Sequence, residues 1–358
     1  IHKDPSPNGI IKGRPIVSCI GYCTTPASRL VDHYLCRAFA QTEASTVLQD
    51  THSLTNILAK RDFPEDAMIV TADVVSLYTN MHWSDTISAI NDFLVEVEHP
   101  LCSLIVDLVE FVLENNYFEF DCKLFHQEFG MAMGTPMAVN IANIFLFMHE
   151  RKALQSFRSS VYYFGRFIDD LCLIVSKTFD KIRFNALVYQ DLCDIELTWS
   201  SISSTAVFLD LEIFKPNVLA RKFSFRTFQK KRNAYLYIPF KSDHPRSNLR
   251  SFINAELIRY NRTNQLLEDI LTIRAEFWTR LRRRGYPPDF LKPIFEAVEA
   301  TPQLFTRKKS SATKVQKHLV FCTTYHPHFV KNNYRSLLKQ SFFVDSQIFF
   351  RRTKQLFY

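Results

Sequence analysis

The chain has 358 residues and an apolar content of 47%, which excludes a disordered chain and leaves room for two or three packed subdomains around a substantial core. Its net charge of +8 and pI near 9.0 point to an anionic partner, most simply nucleic acid. No run approaches the roughly 18 consecutive apolar residues that a membrane span needs, so no membrane partner is expected.

The eight cysteines, at 19, 23, 36, 102, 122, 172, 193 and 322, form no Cys-x-x-Cys pair. That spacing argues against a zinc knuckle and for free thiols in a reducing, intracellular compartment. The sequence starts at Ile1 with no signal-like stretch, and we expect an excerpt of a longer protein.

In chain order, residues 1–18 read as extended, ending in the basic turn Lys12-Gly13-Arg14-Pro15. Residues 26–58 read mostly as helix, with Leu30, Tyr34 and Ala38 at four-residue spacing. Ala67-Met68-Ile69-Val70 is a short buried strand running into Asp73. A helix is expected from Ser84, capped by its hydroxyl, with Ile87, Ile90 and Leu94 as its inner stripe. Helix over 102–118 and a Phe-rich hairpin over 117–129 follow. Another helix is expected to begin near Pro136 and run through Met148.

Two strands flank Asp169-Asp170, then a helix near 178–192, a strand over 208–213 and a hairpin over 223–238. Composition shifts near 240. From Asn254 onwards the chain reads as largely helical, with a stop at Gly285 and Pro287-Pro288. Residues 306–318 read as an exposed basic loop.

The chemistry centres on Phe167-Ile168-Asp169-Asp170 inside an apolar run. Two adjacent carboxylates in such surroundings are costly unless a cation or hydrogen bonds offset them. Nucleotidyl transfer uses such carboxylates to hold two divalent cations, and it needs a further acid from a neighbouring strand. Asp73 ends an apolar strand and fits that need, although a helix cap or turn would also account for it. Tyr78, five residues on, would place its ring beneath a nucleotide sugar and clash with a 2′-hydroxyl; core packing is the plainer alternative. Gly130 to Pro136 combines glycines that permit close backbone approach with a proline that suits a helix start. Lys12 and Arg14, with Lys3 nearby, supply cations for a triphosphate, although basic surface turns are common.

Taken in this order, the elements resemble the palm of a reverse transcriptase, and more narrowly a Penelope-like element reverse transcriptase, a group related to telomerase. The resemblance rests on Arg14-Pro15-Ile16-Val17-Ser18, Asp73 to Asn80 (Asp-Val-Val-Ser-Leu-Tyr-Thr-Asn), Ala132-Met133-Gly134-Thr135-Pro136 and Phe167-Ile168-Asp169-Asp170. It continues through Phe208-Leu209-Asp210, Phe228-Gln229-Lys230, His244-Pro245 and Arg284-Gly285-Tyr286-Pro287, and so covers nearly the whole chain.

The resemblance implies an α+β right-hand polymerase fold. Residues 1–240 would form fingers and palm, the palm an antiparallel sheet backed by helices, and residues 241–358 a mainly helical thumb and C-terminal extension. It implies an RNA-directed DNA polymerase using an RNA template, a DNA primer, dNTPs and two Mg²⁺ ions, with Mn²⁺ as an alternative. Asp73 and Asp169 would ligate both metals and Asp170 would support them. Tyr78 would gate the sugar, Lys3, Lys12 and Arg14 would hold the triphosphate, and Gly134 and Thr135 would line the nucleotide and template site. Gln229 and Lys230 would grip the primer, and Arg282, Arg283 and Arg284 would contact backbone phosphates. Action in the nucleus, or in the cytoplasm before import, is implied, with an endonuclease domain or another region outside this chain as a further partner. A telomerase-like or host-adopted terminal polymerase and a catalytically silent RNA-binding scaffold are the alternatives; the three aspartates argue against the scaffold. Met133, Phe167 and Val139 depart from the common pattern of relatives without removing a metal ligand. No GIY-YIG nuclease segment and no ribonuclease H carboxylate set is evident.

Overall fold

The computed structural model describes residues 16–42, 46–190, 195–217, 219–230 and 233–303, with the backbone of 318–323 and 347–352. The chain divides into two compact units, Ile1–Phe305 and Thr306–Tyr358.

At the centre of the first unit lies an antiparallel sheet of β1 (Met68–Val74), β4 (Val161–Phe167), β5 (Asp170–Val175) and β6 (Leu197–Trp199), in the order β4-β5-β1-β6. Both of its faces are covered, which is why Leu171 to Val175 reads as an unbroken apolar run rather than an alternating one. On one face Val70, Ala72, Leu171 and Leu173 pack with α1 (Thr25–Gln41), α4 (Trp83–Glu96), α5 (Cys102–Glu114) and α6 (Ala138–Ala153). On the other, Ile69, Cys172 and Ile174 pack with α2 (Thr51–Lys60) and a three-stranded sheet of β7 (Thr205–Phe208), β8 (Leu211–Phe214) and β9 (Ser224–Thr227). A third core joins α8 (Arg246–Thr263), α9 (Leu267–Arg283) and α10 (Pro288–Ala297) around Tyr260, Phe277 and Tyr286.

Several elements differ from the sequence reading. The helix expected over 26–58 is broken into α1 and α2. Asp50 starts α2 afresh by accepting a 2.8 Å bond from the Ser53 amide, and just before it Leu48 donates to the Arg166 carbonyl at 2.7 Å. Ser84 does not cap α4: the cap position is His82, without a side-chain bond, and the Ser84 hydroxyl turns to Asp85. The inner stripe is as expected, with Ile90 and Leu94 buried and Ile87 packed against them. α5 ends at Glu114, before the hairpin of β2 (Tyr117–Phe120) and β3 (Lys123–His126). Pro136 lies just ahead of α6 rather than in its first turn.

Further on, α7 (Lys181–Asn185) continues as a π-helical turn over Ala186–Gln190. The strand expected over 208–213 is split by a turn at Leu209-Asp210, where Leu209 has φ +53°. The hairpin expected over 223–238 is absent among the described residues, because β9 pairs back onto β8 and residues 233–239 form no strand. Helix begins at Arg246 rather than Asn254. In the second unit β10 (His318–Thr323) and β11 (Gln347–Arg352) pair in parallel, in a stretch read as helical. The basic loop of 306–318 lies outside the described residues except for His318. Among the described residues no helix is long and apolar enough to cross a membrane.

Candidate active site

β1 and β5 run antiparallel so that Asp73 is the direct register partner of Asp170. Opposed residues share a face, with Cβ atoms about 4.5–5.5 Å apart. Asp169 sits in the two-residue turn between β4 and β5, and its carbonyl accepts from the Val74 amide at 2.9 Å. The three aspartates therefore meet at one end of the central sheet. Ile168, the other turn residue, has φ +57°, a conformation that a β-branched side chain rarely adopts. Burial pushes the Asp170 carboxyl up to about 7, helped by a hydrogen bond with Asp73 and by the charges of Asp169 and Asp73; Lys230 opposes the shift.

Beneath this turn lies a buried polar network. Arg166 is on the α6 face of β4 with its side chain fully enclosed. Its guanidinium donates to Glu150 at 2.7 Å, to the side chain of Asn143 at 2.9 Å, to the Asn143 carbonyl at 3.0 Å and to the Ile168 carbonyl at 3.0 Å. Tyr189 donates to the same Glu150 oxygen at 2.6 Å. The strained turn that presents the aspartates is thus tied to α6 through one arginine. Nothing in the motifs singled out Arg166. The available signal was a lone cation in an apolar strand, with Asn143 and Glu150 seven residues apart on one helix face.

Tyr78 lies in the single turn α3 (Leu77–Asn80) that follows β1, entered through Ser76 at φ +51°. Its ring is half-buried, and its hydroxyl is held protonated first by burial and then by the charge of Asp169, against Arg166. The Tyr78 carbonyl accepts from the Met131 amide at 2.6 Å, and Trp83 donates to the Gly130 carbonyl at 2.7 Å. A Cβ on Gly130 would fall 2.7 Å from the Tyr78 carbonyl oxygen at φ +68°, so only glycine fits there. A Cβ on Gly134 would fall 2.2 Å from the Val17 carbonyl oxygen, where Val17 also donates to Met133 at 2.9 Å. Thr135 is buried with its hydroxyl 3.7 Å from the Cys19 sulfur. Gly134 and Thr135 therefore seat the segment that follows Arg14.

Three carboxylates offer the hard oxygen donors that Mg²⁺ takes, and a cation there would offset both the burial that raises the Asp170 carboxyl and the smaller repulsion from Asp169 and Asp73. Among the described residues no three acid, His or Cys side chains are drawn into a ready-made metal cage. Mg²⁺ suits such an open arrangement, since it is commonly held by one or two carboxylates together with substrate phosphates.

No protein-family model matches the sequence, and no curated protein does. Solved structures do match. The structure of telomerase from Candida albicans, in complex with the TWJ fragment of telomeric RNA, superposes with a TM-score of 0.53 at 10% identity, over 75% of this chain and 51% of that one. The chain shares its fold with that telomerase structure. It spans about half the length of that telomerase. A Candida tropicalis telomerase with its TWJ fragment gives 0.44 at 16% identity over 78% of this chain and 47% of that chain. The RNA-dependent RNA polymerase of a human picobirnavirus gives 0.42 at 9% identity, over 56% and 40% of the two chains.

Within the telomerase-like fold, Lys230 lies near enough to Asp170 to lower its affinity for protons. The side-chain oxygen of Gln229 is taken by the Tyr235 hydroxyl at 3.1 Å and by Arg280, whose guanidinium covers the Tyr235 ring. Arg282 donates to the Tyr286 carbonyl at 2.5 Å and Arg284 to the Tyr237 carbonyl at 2.6 Å, so both brace the chain around α9. Arg283 is exposed, and its side chain carries no ion pair or hydrogen bond among the described residues. Lys3, Lys12 and Arg14 lie outside the described residues.

Proposed function

We propose that the chain is an RNA-directed DNA polymerase of a Penelope-like retroelement, acting in the nucleus on an RNA template, a DNA primer and dNTPs. The observation that carries this reading is the opposition of Asp73 and Asp170 beside the Asp169 turn, with Tyr78 electrostatically coupled to Asp169. Asp73 and Asp169 would hold two Mg²⁺ ions, with Asp170 supporting. Bound there, the ions would acidify the primer 3′-hydroxyl and neutralise charge on the phosphates. The hydroxyl attacks the dNTP α-phosphate and pyrophosphate departs. Tyr78 excludes a 2′-hydroxyl, Arg14 with Lys3 or Lys12 holds the triphosphate, and Lys230 steadies the primer backbone. Residues 1–240 serve as fingers and palm, and the helices after 241 as thumb.

The similarity to a telomerase structure favours one alternative, a telomerase-like terminal polymerase. Primer extension on matched RNA and DNA templates, with dNTPs and rNTPs in parallel, separates the readings. Mg²⁺-dependent synthesis that prefers an RNA template and dNTPs, and that accepts any supplied template, supports the retroelement enzyme. Repeated addition of one short sequence supports the alternative, and no incorporation at all overturns both.

A further inference from the structure

A cavity of about 1220 Å³ opens at the end of β4 remote from the aspartates, between the ends of α2 and α6. Tyr162 at its wall lies five residues before Phe167, the register partner of Asp170, and so roughly 17 Å from the aspartate turn. Lys60, Arg61, Arg151 and Arg158 line it, and among the described lining residues none is acidic, Asp66 reaching it only through its bond to Tyr162. Arg151 is held by a two-pronged ion pair to Glu96. Lys60, Arg61 and Arg158 are exposed and have no ion-pair partner among the described residues. Three uncompensated cations around one concavity repel one another, an arrangement that a polyanion stabilises.

The ligand class follows from the remaining wall. The volume exceeds the roughly 300–1,000 Å³ of usual small-molecule sites, so an extended ligand fits better than a free anion. The Tyr162 hydroxyl is tethered to both Asp66 oxygens, at 3.2 and 3.1 Å, which fixes its ring. Gln155 adds an exposed amide to the same lining. Cations for phosphates, a fixed aromatic face for a base and an amide for base edges are the elements of single-strand recognition. An acidic protein surface would use the cations and leave the tyrosine without a task.

We propose that this cavity is a second nucleic-acid site, separate from the polymerising site, which anchors a short single-stranded segment. The proposal goes beyond the polymerase reading, because binding here needs none of the aspartates.

The test is photocrosslinking of the full chain to an oligouridine carrying 4-thiouridine, and to an oligothymidine carrying 4-thiothymidine, with the attached peptides mapped. Expected are crosslinks within 151–164, reduced about tenfold in Lys60→Ala/Arg61→Ala/Arg158→Ala. A charge-matched control, Lys152→Ala/Lys177→Ala/Lys241→Ala, replaces exposed lysines outside the cavity and should leave the crosslinks in place. Tyr162→Leu should lower the yield about tenfold, and Tyr162→Phe, which keeps the ring and loses only the Asp66 tether, should lower it less. Asp169→Ala should not change it, so a failed polymerase assay and a failed anchor are told apart. A stronger signal from one oligonucleotide identifies RNA or DNA as the natural strand. Equal yields in the two triple variants would overturn the proposal. So would displacement by polyglutamate as effective as by polyuridine, which would mark an acidic-protein surface.

Discussion

The guanidinium of Arg166 lies 3.0 Å from the carbonyl oxygen of Ile168, the residue that carries the strained turn before Asp169. Because Arg166 is also paired with the fully buried Glu150, the shape of the aspartate turn and the stability of the core depend on one side chain. The two roles separate by mutation. Arg166→Met strands the Glu150 charge and should cost about 3–5 kcal/mol in a denaturant titration. Arg166→Met/Glu150→Leu should regain most of that stability, since apolar pairs often replace buried ion pairs without loss. Primer extension should stay low in the double variant, because Ile168 has still lost its donor. Full activity there would show that the turn holds itself.

Gly130 and Gly21 form a matched pair for testing close packing at the site. Both have positive φ, +68° and +73°, but only at Gly130 would a methyl group meet backbone, that of Tyr78 and Thr79. Gly21→Ala should cost about 1 kcal/mol from conformation alone. Gly130→Ala should cost more and should lower turnover by displacing Tyr78. Equal losses in both, measured by thermal melting, would remove Gly130 from the site.

The Asp170 carboxyl, raised to about 7 from its usual carboxylate range, gives a pH dependence of defined sign. Between roughly pH 4 and 7 the folded chain keeps a proton that the unfolded chain has lost. Stability without divalent ions should therefore fall as pH rises through that window and be lowest above pH 7. Asp170→Asn should flatten the slope, and Mg²⁺ should raise the melting temperature more at pH 8 than at pH 5. A melting temperature that rises steadily across this range in the parent but not in Asp170→Asn would contradict the assignment.

Tyr78 is half-buried beside Asp169, at the edge of the aspartate cluster. Replacement by Ala should admit ribonucleotides while sparing dNTP use within about tenfold, read from the ratio of kcat/KM for dNTP and rNTP. An unchanged ratio would return Tyr78 to a packing role.

Much of the central architecture was legible because its signals are local and chemical. The apolar runs on either side of Asp169-Asp170 became β4 and β5, and the strand into Asp73 became β1 beside them. The turns were less legible for a physical reason. Glycine is scarce, at seven residues, so Ser76, Asp121, Cys122, Ile168 and Leu209 take up left-handed conformations without the residue that usually announces them. The split of 208–213 went unseen for that reason. The start of α2 was hidden because Asp50 lies inside a stretch that reads as continuous helix. Arg166 was missed for a different cause: a lone cation in an apolar strand is a weak signal, and its partners, from α6 and from its own turn, are joined only by the fold.

The most direct test of the central claim is Mg²⁺-dependent single-turnover primer extension on an RNA template, comparing the parent with Asp73→Asn, Asp169→Asn and Asp170→Asn. Loss of at least about a thousandfold in the first two, with a smaller loss in Asp170→Asn, is the predicted result. Extension by Asp73→Asn or Asp169→Asn at the parental rate would contradict it.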